Sequence, residues 1–125
     1  MNYLEQQEIE KGRELINQGD LPDDMYFVDT GRVSAQLEVE PGQFIRLKSM
    51  DGGTVVGEIG LYLKQTRTAS IFTDEVSTVY RLTEASLTKM EQDDPDLAAA
   101  LYHWMVLILA ERLSDNNRPL EALLY

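Results

Sequence analysis

The chain has 125 residues, 43% of them hydrophobic and 26% charged, and no cysteine, which fits one globular domain and excludes disulfide staples, thiolate metal sites and a disordered chain. Twenty-two acids against eleven bases give a net charge of −11, which argues against a nucleic-acid-binding surface, since that needs clustered Lys and Arg to displace counterions from phosphates. The longest uninterrupted apolar run, Trp104 to Ala110, falls short of the roughly 20 residues that span a bilayer, and the start of the chain, with Glu5, Glu8 and Glu10, lacks the basic and apolar regions of a secretory signal. The expectation is a cytoplasmic protein that makes no membrane contact of its own.

Up to about residue 82 the chain reads as short strands between turns. Met25-Tyr26-Phe27-Val28 ends at Asp29-Thr30-Gly31, and Val33, Ala35, Leu37 and Val39 then alternate with polar residues, the period of a half-buried strand. Pro41-Gly42 turns the chain into Phe44, Ile45, Leu47 and Met50, and Asp51-Gly52-Gly53 turns it again into Thr54-Val55-Val56. Ala69 to Thr73 and Ser77 to Leu82 complete the series. Short strands at intervals of about 8–12 residues predict a jelly-roll-like β-roll, within a mainly β fold that also carries α-helices.

After Leu82 the period changes. Thr83 is placed to cap a helix running to about Asp93, and Asp94-Pro95 marks a second start, with Asp at the N-cap and Pro at the first helical position. Leu97, Leu101, Trp104, Met105 and Ile108 recur at helical spacing and predict the buried stripe, which Leu107, Leu109 and Leu113 widen toward a partner. Pro119 is expected to end or bend this helix, leaving Leu120, Leu123, Leu124 and Tyr125 as an apolar tail. The domain reading is thus one unit over 1–125: β-roll about 4–82, helices about 83–118, tail 119–125.

One segment carries chemistry. Val56-Gly57-Glu58-Ile59-Gly60-Leu61-Tyr62 sets a lone acid between two glycines, with a short helical turn to follow, and Arg67-Thr68-Ala69-Ser70 leads into the next strand. If that strand begins near Arg67, alternation puts Arg67, Ala69 and Ile71 on one face, so an inward Ala69 and Ile71 imply an inward Arg67. A buried arginine requires an anion. Two fit: Glu58, as an internal ion pair, or a phosphate met bidentately by the guanidinium, with the backbone N–H groups of Gly60, Leu61 and Tyr62 adding to it. On the second reading Glu58 accepts from a ribose hydroxyl, and Gly57 and Gly60 let the backbone approach the ligand.

This stretch resembles the phosphate-binding cassette of cyclic-nucleotide-binding domains, in its Gly-Glu, its short helix and its Arg followed by a small residue and Ala. The resemblance extends through Gly12, Gly19-Asp20, Gly31, Gly52 or Gly53 and the two closing helices, nearly the whole chain. It implies that Glu58 binds ribose, that Arg67 binds the cyclic phosphate of cAMP or cGMP, and that Gly57, Ile59, Gly60, Leu61, Thr68 and Ala69 line the site. Val56, Gly60 and Thr66 depart from the family pattern, where an aromatic, Ala and Pro are frequent. The hydroxyl of Thr68 suits either base, and Arg112, with Ser114 and Asn116 near it, is the candidate lid over the base. No metal, further cofactor or catalytic residue is expected, His103 reads as a surface or interface residue, and Met25, Met50, Met90 and Met105 read as core filler.

In detail the chain is similar to the cytosolic domain appended to bacterial sulfate-permease-type transporters, through Gly53 to Leu63, Tyr80-Arg81-Leu82 and Asp94 to Leu101. The abrupt strand-like start and the apolar tail fit a domain from a longer protein. The expected partners are therefore a cyclic nucleotide, other domains of a parent protein, and a second copy through the final helix. The alternative is a degenerate β-roll that docks a partner and binds no nucleotide.

Overall fold

The computed structural model describes the backbone of residues 2–124 and the side chains of residues 2–114. It divides into two units, residues 1–88 and 89–125.

The first unit is built from eight strands: β1 (Glu5–Ile9), β2 (Glu14–Ile16), β3 (Asp24–Thr30), β4 (Arg32–Glu40), β5 (Gln43–Asp51), β6 (Thr54–Val56), β7 (Ser70–Thr73) and β8 (Ser77–Thr83). They form two antiparallel four-stranded sheets, ordered β1-β8-β3-β6 and β2-β7-β4-β5. Between the sheets lies a core of Tyr26, Val28, Val56 and Val79 from the first and Ile16, Val33 and Ile71 from the second. Because side chains alternate along a strand, Met25, Phe27, Val55 and Leu82 fall on the other face of the first sheet, and they too are buried. A sheet buried on both faces accounts for the near-continuous apolar run of β3.

The expected β-roll is therefore present, and each predicted strand is found within a residue or two. The β3–β4 turn shows why a glycine stands there: Gly31 has φ +102°, and a Cβ on it would lie 2.2 Å from Oγ of Ser77. One expectation fails in its route. Arg67 and Ala69 lie outside β7, which starts at Ser70, so strand alternation does not govern them.

A short helix, α1 (Glu58–Leu63), follows β6, and α2 (Glu84–Asp93) follows β8. The amide of Ser86 donates to Oγ1 of Thr83 at 3.1 Å, the expected N-terminal cap. Lys64, in the left-handed region at φ 56°, closes α1, and its ammonium pairs with Glu84 at the head of α2.

The second unit holds the end of α2 and α3 (Pro95–Leu124). Asp94 caps α3 as expected, accepting from the amide of Leu97 at 3.3 Å. The helix continues through Pro119 to Leu124, so residues 119–124 are helical rather than a tail, and Tyr125 lies outside the described residues. The buried stripe is also rotated from its expected place. Ala98 and Met105 are buried and Leu101 and Ile108 half-buried, whereas Leu97 and Trp104 are exposed. Of the four methionines read as filler, Met25, Met90 and Met105 are buried and Met50 packs at the edge of the core. His103 is exposed on α3. By length and composition alone, Pro95–Ser114 is apolar enough to cross a membrane, with mean hydropathy 1.3. A search for uninterrupted apolar runs misses this, because Tyr102 and His103 break the run without making the helix polar on average.

Candidate functional site

Gly57 is where the cassette begins. It precedes α1 with φ +84°, which a residue bearing a Cβ adopts only with strain. A Cβ there would also lie 2.7 Å from Cδ1 of Ile16 and 2.9 Å from Nη1 of Arg67. Gly60, one turn on, would set a Cβ 3.1 Å from the same Nη1. Both glycines thus make room for one guanidinium.

Arg67 is held there from both ends. Its amide donates to the carbonyl of Asp20 at 2.9 Å, and its carbonyl accepts from the amide of Gly19 at 2.8 Å. These two bonds fix the segment before β7 against the Gly19-Asp20 turn and aim the side chain inward, where it is 7% exposed. Nη1 donates to the carbonyl of Gly57 at 2.6 Å, and Nη2 donates to the carbonyl and to Oδ1 of Asp24 at 2.6 and 2.9 Å. A guanidinium has five N–H groups. Among the described residues, these three bonds engage both N–H groups of Nη2 and one of Nη1.

Asp24 is the residue that sequence reasoning missed. It opens β3 opposite Thr83, and alternation places it on the same face as Tyr26, whose own ladder partner on β8 is Arg81. Oδ2 of Asp24 accepts from Nε of Arg81 at 2.7 Å and from the hydroxyl of Tyr26 at 3.5 Å. Burial, reinforced by the Asp24 carboxylate, pushes the Tyr26 phenol above its ordinary value, so it stays a neutral donor at pH 7. The hydrogen bond to Asp24 likewise raises Arg81 above its already high value. The only hint in the sequence was an acid heading an otherwise apolar strand.

The other predicted residues are placed unevenly. Glu58 is buried in the first turn of α1, 4% exposed, and Leu61, three residues on along the same helix, is buried too. Ile59 and Thr68 are exposed, and Gly60 and Ala69 are half-exposed. The Leu61 amide, expected to meet a ligand, donates to the Gly57 carbonyl at 3.3 Å, as the first intrahelical bond of α1 requires. Arg112 is half-buried and Ser114 exposed on α3, in the second unit, and the side chain of Asn116 lies outside the described residues.

An open groove of about 870 Å³ also occurs on the second sheet, lined among others by Arg32, Phe44, Arg46, Phe72 and Asp74. None of the cassette residues lines it, and Arg46 there is already bound to Asp74 at 2.7 Å.

Comparison with known proteins agrees with this geometry. A cyclic nucleotide-binding domain from Methylobacillus flagellatus matches the fold with TM-score 0.81 at 17% identity, over 92% of this chain and 65% of its own. The Thermus thermophilus catabolite activator protein is 26% identical, with TM-score 0.70, over 97% of this chain and 55% of its own. The cAMP-dependent protein kinase type II regulatory subunit of Drosophila melanogaster is 30% identical over 63 residues, half of this chain but 16% of the kinase subunit. The chain therefore spans only part of these relatives. Residues 6–94, well over half of the sequence and including the whole cassette, match the model of the cyclic nucleotide-binding domain, and the chain belongs to that family.

Proposed function

We propose that this domain is a sensor that binds cAMP or cGMP and acts by binding alone, without catalysis. The observation that carries the reading is Arg67: a buried guanidinium clasped by the carbonyl of Gly57 at the head of the cassette and by Asp24, at the position where the family resemblance puts the phosphate-binding arginine. Glu58 supplies the acceptor for the ribose hydroxyl, and Thr68, exposed beside Arg67, is available to the base. The relation to a cAMP-dependent kinase subunit makes cAMP the first ligand to test.

The sensor belongs, on this proposal, to a cytoplasmic region of a larger bacterial protein. A sulfate-permease-type parent rests on the sequence stretches noted above and on nothing else. The exposed Val106, Leu107 and Leu113 of α3 support docking to another domain or a second copy.

One observation favours the rival reading. The carboxylate of Asp24 already compensates the buried Arg67, so the fold has no need of a ligand to satisfy that charge. A degenerate interaction module would keep this pair too. Thermal unfolding with each nucleotide separates the two. At a ligand concentration one hundred times Kd, a sensor gains about 2.7 kcal/mol of stability, a rise of several degrees in Tm. An unchanged Tm with both nucleotides up to millimolar concentration contradicts the sensor.

A further inference from the structure

Two arginines share the one carboxylate of Asp24, and only Arg67 belongs to the cassette. Arg81 stands on β8, opposite Tyr26 of β3 on one side and Glu5 of β1 on the other. Taken alone, Arg67 and Asp24 at 2.9 Å form a neutral pair. An approaching phosphate gains little from such a pair, because it meets the carboxylate with the guanidinium. Arg81 changes that sum. With its Nε 2.7 Å from Oδ2, two positive groups stand against one negative, and the cluster keeps a surplus of +1. Glu5, 4.0 Å from Arg81 with its side chain 64% exposed, is too solvated to cancel this. The Tyr26 hydroxyl is neutral. Glu58 adds a second carboxyl to the cassette itself, so the four groups balance with Arg81 in place and carry −1 without it. In a chain of net charge −11, an anionic ligand depends on that local compensation.

We propose that Arg81 is a positioning residue for the anion site, engaging Oδ2 of Asp24 so that Asp24 orients Arg67 without neutralising it. The proposal rests on the reading of the domain as a cyclic-nucleotide sensor. It assigns a role in affinity to a residue that, by position, is merely the lone base in a strand.

The test is isothermal titration of cAMP and of cGMP into the wild-type chain and three variants: Arg81→Gln, Arg81→Lys and the double variant Asp24→Asn with Arg81→Gln. Circular dichroism and melting establish that each is folded, and Arg81→Met replaces the Gln variant if that one is not. Arg81→Gln is expected to weaken binding on the order of tenfold, the scale of one partly screened charge near the phosphate. Arg81→Lys keeps the charge and binds within about threefold of wild type. The double variant recovers most of the loss, because a neutral Asn still accepts from Arg67 but no longer cancels it. That rescue is an outcome a merely structural role does not produce. Wild-type affinity in Arg81→Gln, or a loss that the double variant fails to recover, overturns the inference while leaving the sensor intact. A wild-type chain silent with both nucleotides overturns the sensor reading and this inference together.

Discussion

Arg67 grips Asp24 at two points, its backbone carbonyl at 2.6 Å and its carboxylate at 2.9 Å, across 43 residues of sequence. The contact ties the segment before β7 to the first residue of β3. The same guanidinium holds the Gly57 carbonyl, so the start of the cassette helix, the segment after it and the first residue of β3 meet at one side chain.

Replacing Arg67 with Ala should therefore cost stability even without ligand. The Asp24 carboxylate keeps Arg81, which limits the loss, and about 1.5–3 kcal/mol is expected for the charged hydrogen bonds removed. Urea unfolding measures it. A loss within a few tenths of a kcal/mol would mean that the pair is not formed in solution.

Gly57 and Gly60 both line the Arg67 guanidinium, yet they should respond differently to Ala. At Gly57 the left-handed backbone costs about 1–2 kcal/mol, and the new Cβ, 2.7 Å from Ile16 and 2.9 Å from Nη1, displaces Arg67 as well. At Gly60 the contact is 3.1 Å and φ is not positive, so neighbours yield by a few tenths of an ångström. Removing a helical glycine meanwhile returns roughly 0.5–1 kcal/mol. Gly57→Ala is expected to lower Tm and weaken nucleotide binding, and Gly60→Ala to leave both near wild type. Equal effects would show that the guanidinium is not packed as described.

Asp74 gives a pH signature outside the cassette. Burial alone would raise its pKa, but hydrogen bonds from Arg46 and Ser34 outweigh this and hold the carboxyl below its ordinary 3.8. A depressed pKa means that the contribution is present in full above the unfolded value and is lost as pH falls through the folded one. Denaturation of wild type and Asp74→Asn should accordingly show a stability gap that is constant near neutrality and closes below about pH 4. A gap that does not narrow as pH falls below the ordinary value contradicts the pairing.

Most of the β-roll was legible because its strands advertise themselves. β3 and β4 are bounded by Gly31, and β4 alternates in period 2 up to the Pro41-Gly42 turn. β1 was legible only as a strand-like start near residue 4, without bounds, since Glu5-Gln6-Gln7-Glu8-Ile9 is an edge strand with little buried surface, held mainly by its ladder to β8. The cassette was legible through its glycines and the Glu58 to Arg67 spacing. Its inner partner Asp24 was not, because a contact between distant segments leaves no local period. The stripe of α3 was misplaced for a related reason: apolar residues surround that helix, so spacing alone does not say which face is buried. Pro119 was read as ending or bending the helix, and the helix runs through it to Leu124.

The central claim is that Arg67 holds the phosphate of a cyclic nucleotide. The most direct measurement is isothermal titration of cAMP into the wild-type chain and into Arg67→Ala, both shown to be folded and free of co-purified nucleotide, with cGMP as a parallel ligand. The account predicts saturable one-site binding by the wild type, weakened at least tenfold, about 1.4 kcal/mol or more, by the substitution. No heat with either nucleotide, or equal affinity in the two proteins, would contradict it.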